Sequence, residues 1–67
     1  MELRKAVLAL EEPARQMNEG INAVGIMVIG LFAQEDPYAD GFHAIWRCLC
    51  DANEVFQKQL QTCLEFI

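Results

Sequence analysis

The sequence predicts an all-α chain, an antiparallel two-helix hairpin that assembles as a four-helix-bundle-like homodimer. Three observations predict it. Apolar residues recur at alternating spacings of four and three along two long segments, and one cluster of turn-forming residues separates those segments. At 54% hydrophobic residues in 67, the chain also carries more apolar surface than one hairpin can hide. A strand would need apolar residues at every second position, and neither segment has that period.

Helix 1 is expected over about residues 3–33. Its seam runs through Leu3, Val7, Leu10, Ala14, Met17, Ile21, Val24, Val28 and Leu31, the a and d positions of a heptad. Pro13 falls inside it. A proline there removes one hydrogen bond and presses on the carbonyl of Ala9, at about 3 kcal/mol or more. It either kinks helix 1 or breaks it, leaving residues 2–11 as a short separate helix. The seam stays in phase across Pro13, which favours the kink. Gly20, Gly25 and Gly30 each cost up to about 1 kcal/mol in a helix, so they predict close approach by a neighbouring backbone.

A turn is expected over about residues 34–40, in the run Gln34-Glu35-Asp36-Pro37-Tyr38-Ala39-Asp40-Gly41. Asp36 suits a helix cap and Pro37 the first helical position, where a missing N–H costs nothing. Asp40 before Gly41 offers a second cap one turn later. Helix 2 follows over about residues 37–65. Its seam is Ala39, Phe42, Trp46, Leu49, Asn53, Phe56, Leu60, Cys63 and Ile67. Laid antiparallel with a facing d, the two seams pair Leu31 with Trp46, Val24 with Asn53, Ala14 with Cys63 and Leu10 with Ile67. A tighter turn would slide this register by about one helical turn.

A chain this short buries only about 60% of the surface its unfolded form exposes, so its own core is marginal. Small scaffolds compensate with disulfides, a metal or oligomerisation. The excess of apolar residues points to the last. Residues 21–33 are apolar nearly all round, with Ile26, Ile29 and Phe32 lying off the seam. A helix of that kind is buried on all sides, which one partner helix cannot achieve. Ile26, Ile29 and Phe32 are therefore expected at an oligomer or partner interface. Twofold homodimers are the commonest oligomers, and a face for a different protein would use the same patch.

Two residues of helix 2 join that expected interface. Asn53 is the lone polar side chain on the second seam, and an asparagine there fixes register or oligomer state at a cost in stability. If buried, its amide needs a partner, from a symmetry mate or a polar group near Val24. Trp46 reads as a core anchor near the turn, or as a hot spot if it projects from the bundle.

Catalysis, metals and cofactors are not expected. His43, Cys48 and Cys50 resemble a metal set, but residues two apart on a helix point about 200° away from each other. Structural zinc sites use wider cysteine spacings, usually on turns. The free thiols read as small apolar groups, and His43, at an e position, as a half-exposed flank. No residue orients His43 for nucleophilic chemistry, glycine-rich phosphate loops are absent, and the chain has no serine. The positioned constellation an enzyme needs is missing.

Ten acidic and five basic residues give a formal net charge of −5. Nucleic-acid affinity comes largely from Lys and Arg neutralising phosphates, and Arg4, Lys5, Arg15, Arg47 and Lys58 form no patch, so no direct nucleic-acid or anionic-membrane partner is expected. The apolar stretch from Ile21 to Ala33 has thirteen residues against the roughly twenty of a bilayer span. The opening MELRKAVLAL lacks the features of a secretory signal. With an odd number of cysteines, this leads to an expectation of reduced thiols in the cytoplasm. In layout the chain resembles the dimeric helical hairpins that control plasmid copy number. That resemblance implies a fold class only, since those proteins act on RNA and the basic surface for it is missing here.

The functional expectation is a small non-enzymatic interaction protein, an adaptor, regulator or inhibitor, working as a homo-oligomer. A structural subunit of a larger helical assembly is the first alternative. An acidic regulator that mimics nucleic-acid phosphates in a basic protein groove is the second.

Overall fold

A computed structural model describes residues 2–67, and all of its regular structure is helical. Helix α1 spans Glu2–Leu8, α2 spans Glu11–Ala33 and α3 spans Ala39–Glu65. The main packing is α2 against α3, with α1 resting on α3.

Pro13 breaks the first helix rather than kinking it, so the expected helix over residues 3–33 is two helices. Leu10 N–H reaches back only three residues to Val7 O, closing α1 with a tight turn. Leu10 itself keeps helical dihedrals (φ −79°, ψ −14°), and α2 starts at the next residue. Pro13 is thereby the third residue of α2, inside the first turn, where backbone N–H groups have no intrahelical carbonyl to reach. Ala14 N–H then bonds Leu10 O at 3.0 Å and the regular ladder begins. Because the break preserves near-helical geometry, Val7 and Ala14 still face the same way as the rest of the seam.

The turn is tighter than the expected residues 34–40, and α3 begins at Ala39 rather than 37. Glu35 sits in the left-handed region (φ 56°), its N–H bonding Phe32 O while Asp36 N–H bonds Leu31 O. These two crossed bonds are a Schellman cap, which reverses the chain immediately after α2. Asp36 then serves the next helix, its carboxylate accepting the Tyr38 N–H at 2.8 Å while Ala39 N–H bonds its carbonyl at 3.1 Å. Asp36 was expected to cap a helix starting at Pro37; it instead braces the turn before α3, whose N-cap position is Tyr38 and has no side-chain cap bond.

On α2 the inward residues are Ala14, Ile21, Val24, Gly25, Val28 and Leu31, which is the expected seam with Gly25 added and Met17, 43% exposed, left out. On α3 they are Ala39, His43, Trp46, Cys50, Asn53, Phe56, Gln57, Leu60 and Leu64. The a positions of the second seam are kept from Ala39 to Leu60, but the other half of the stripe has moved from the d to the e positions, with Phe56 alone among the d residues staying half-buried. His43, expected on a half-exposed flank, is half-buried at one of those e positions.

The register differs too. Gln57 stands opposite Ala14, Asn53 opposite Asn18, and Trp46 opposite Ile21 and Gly25. Asn53 has thus moved from Val24 to Asn18, about six residues or more than one and a half helical turns. A sharper reversal explains the direction of the slide.

The result is a slab of 52 × 16 × 12 Å with a radius of gyration of 15.6 Å. A compact domain of this length would have a radius near 11 Å, by about 2.2·N^0.38 Å. Buried apolar side chains are few: Ala14, Val28, Ala39 and Leu60, and none of them is large and fully enclosed.

Candidate partner-binding face

Inside the hairpin, Trp46 lies flat against α2. Its indole N–H donates to the Ile21 carbonyl at 3.0 Å, and its ring fills the space where a side chain on Gly25 would be. A Cβ on Gly25 would meet the indole at 2.8–2.9 Å, far inside van der Waals contact. Gly25 is the close approach the glycines predicted, made by a side chain rather than a backbone. Gly20 and Gly30 face open space and show none.

Further from the turn, a polar layer crosses the interface. Asn53 donates from Nδ2 to Asn18 Oδ1 and accepts from Gln57 Nε2 at 3.1 Å. Gln57 Nε2 also donates to the Ala14 carbonyl at 2.9 Å. No buried side-chain polar atom lacks a partner among the described residues. Trp46 and Asn53, expected at the oligomer interface, have their contacts here within the single chain.

The two sides of the slab differ in chemistry. One side is polar. It carries Arg15, Asn18, Gln57 and Gln61 at one end, and His43, Arg47, Cys50 and Asp51 nearer the turn. Arg15 pairs with Glu12 and Glu19 on the exposed surface of α2. The hydrogen bond from Arg15 holds the Glu12 carboxyl below its ordinary pKa, and these carboxylates hold the guanidinium's above its own. The His43 ring lies between Phe32, edge-on at 5.7 Å, and Trp46 at 5.8 Å.

The opposite side is apolar. Val24, Met27, Val28, Leu31 and Phe42 line an open groove between α2 and α3. Along α3 it continues over Ile45, Leu49 and Ala52. Many of these side chains are well exposed: Met27 is 68%, Ile45 57% and Phe42 50% accessible. Phe42 and Leu49 are the d residues that the rotation of α3 turned outward.

Ile26 and Ile29 do not belong to this groove. Each is two residues from a groove residue, Val24 or Met27, and so projects about 200° away, on the other side of α2. They form an exposed ridge, with Phe32 at its end meeting His43. The groove residues Met27, Ile45 and Ala52 were not singled out in the sequence. The signal was present as the spacing 42-45-49-52-56 on α3, an apolar stripe one step round from the expected seam.

Cys48 and Cys63 are exposed, Cys50 is half-buried, and all three are free. Among the described residues no group of three or more His, Cys, Asp or Glu is placed to hold a metal ion. No helix among them is long and apolar enough to cross a membrane. No protein-family model, curated protein or solved structure matches the chain.

Proposed function

We propose that this chain is a small non-enzymatic protein-interaction module, an adaptor, regulator or inhibitor, that works as a homo-oligomer in the cytoplasm. The observation that carries the reading is the incomplete core. The accessible surface is 5371 Å² for a 7.6 kDa chain, against about 4,300 Å² for a compact monomer of that mass. An apolar groove this exposed is costly in water, and association is the ordinary way to cover it. Free thiols with no disulfide partner fit a reducing compartment. Two of the five basic residues, Arg15 and Lys58, are already paired with carboxylates, which further weakens any case for phosphate binding.

Sedimentation equilibrium on the purified chain, followed by affinity capture from its native host, tests the reading. A discrete oligomer with a specific captured protein is the expected result. A concentration-independent monomer would overturn it. The ridge of Ile26 and Ile29, 71% and 69% exposed, favours a second reading, a structural subunit of a larger helical assembly. Such a subunit has more than one face to cover and should form polydisperse aggregates by light scattering when purified alone.

A further inference from the structure

We infer that the apolar side of the slab is the surface on which a second copy of this chain stacks, closing a four-helix core around Val24, Met27, Leu31, Phe42, Ile45 and Leu49. The inference rests on the reading as a homo-oligomer and names the surface through which that oligomer forms.

Area comes first. The surface in excess of a compact monomer is about 1,000 Å² per chain. A standard interface covers about 800 Å² per partner, and two chains that each covered their excess of about 1,000 Å² would bury about 2,000 Å² in all, the lower bound for obligate homodimers. One more hairpin is the right amount of cover.

Charge selects which chain supplies it. At 100° per residue, the charged residues of α2 (Glu11, Glu12, Arg15 and Glu19) lie off the stripe through Met17, Val24, Met27 and Leu31. The charged residues of α3 likewise lie off the stripe from Phe42 to Phe56. A foreign partner of an acidic protein is commonly recognised through complementary charge, and this face offers none. Two copies each carrying −5 repel least where neither presents its charge. A neutral apolar face is self-complementary, as a twofold interface requires. The polar side fails the same test despite its Ile26–Ile29 ridge, since covering it would desolvate Arg47, Asp51 and Gln61 without partners in view.

The experiment compares three substitutions in the full chain: Met27→Glu, Ile45→Glu and Ile29→Glu. In the single chain these side chains are exposed to similar degrees, 68%, 57% and 69%. Differences between the variants thus report what covers each residue in the assembly. Sedimentation equilibrium and circular dichroism are recorded over a range of micromolar concentrations. Met27→Glu and Ile45→Glu should raise the dimer Kd by about a hundredfold or more, because a carboxylate would be enclosed without a partner. Ile29→Glu should change it less than about threefold, as surface substitutions do.

Dissociated hairpins are marginal and can unfold, so a measurement on the unaltered protein accompanies the variants. Hydroxyl-radical footprinting should show Met27 protected at high concentration and oxidised on dilution. A dimer in which Met27 stays reactive, or one that Ile29→Glu dissociates and Met27→Glu does not, overturns the proposed face and leaves self-association standing. A trimer or larger assembly overturns the two-copy core. A wild-type monomer at every concentration overturns both readings.

Discussion

Replacing Gly25 by Ala should destabilise the hairpin, although the same change elsewhere in a helix stabilises it. Helix propensity alone favours Ala over Gly by about 1 kcal/mol. The new methyl would stand 2.8 Å from Trp46 Cζ2 and 2.9 Å from both Cε2 and Nε1. Ordinary carbon contacts begin near 3.5 Å, so the ring must retreat by roughly 0.6–0.7 Å. The indole is rigid and held by its 3.0 Å bond to the Ile21 carbonyl, which that retreat would stretch beyond hydrogen-bonding length. Overpacking costs about 1–3 kcal/mol and the lost bond about 1 kcal/mol. Set against the propensity gain, the net loss is about 1–3 kcal/mol. At about 4–8 °C per kcal/mol for a chain this small, the melting temperature should fall by at least about 4 °C. Thermal melts by circular dichroism, with Trp46 fluorescence as a local reporter, measure it. Gly30→Ala is the control, since nothing lies within 4 Å of a Cβ there and its melting temperature should rise. If Gly25→Ala rises as Gly30→Ala does, the packing of Trp46 on α2 is wrong.

Glu35→Gly should stabilise the chain by about 0.5 kcal/mol, because relief of the left-handed conformation at φ 56° outweighs the added freedom of the unfolded chain; a lower melting temperature would contradict the Schellman cap. Asn53→Leu should raise the melting temperature while reducing the dispersion of the amide NMR spectrum, since a polar core residue trades stability for a unique register. A lower melting temperature with full dispersion would mean that the amide layer is a net stabiliser. The folded-state pKa of Glu12 is depressed, so its contribution is present above its ordinary value of 4.5 and is lost as pH falls through the lower folded value. Glu12 and Arg15 are solvent-exposed, so Glu12→Gln should leave the melt at pH 7 and 150 mM salt nearly unchanged. Among the cysteines, Cys50→Ser should cost the most, since Cys50 alone is half-buried and Cys63, expected to pack on Ala14, is exposed. Equal melts for all three single variants would argue against the rotated face of α3.

The helices and the α2 face were legible because apolar period is a strong signal: Ala14, Ile21, Val24, Val28 and Leu31 all turn inward as read. The turn at Asp36 and Pro37 was legible because turn chemistry is local, although the helix after it starts two residues later than read, at Ala39. Pro13 was weighed correctly as a disturbance and resolved the wrong way. An unbroken seam is compatible with either outcome when the interrupting residue, Leu10, keeps helical dihedrals. The groove went unread for a different reason. Ile26, Ile29 and Phe32 stand out because they are apolar and off the seam, whereas the groove is built largely from residues that look like the seam itself. Which half of a wide apolar stripe faces inward depends on the partner helix and is not a property of one segment.

What decides that rotation is the small number of groups that cannot be placed indifferently. With apolar residues on both flanks, α3 could present its d or its e side to α2 and bury comparable area. In the register first expected, Asn53 would face Val24, and an unpaired amide costs about 1–3 kcal/mol. Trp46 would face Leu31, where no glycine leaves room for an indole. The observed register gives the Asn53 amide Asn18, gives Gln57 the Ala14 carbonyl, and seats Trp46 in the notch at Gly25 with its N–H satisfied. All three can be met together only if Gln57, at an e position, turns inward. Phe42 and Leu49 at d positions then turn out. The polar layer that holds the hairpin in one register is thus also what leaves an apolar groove open on its other side.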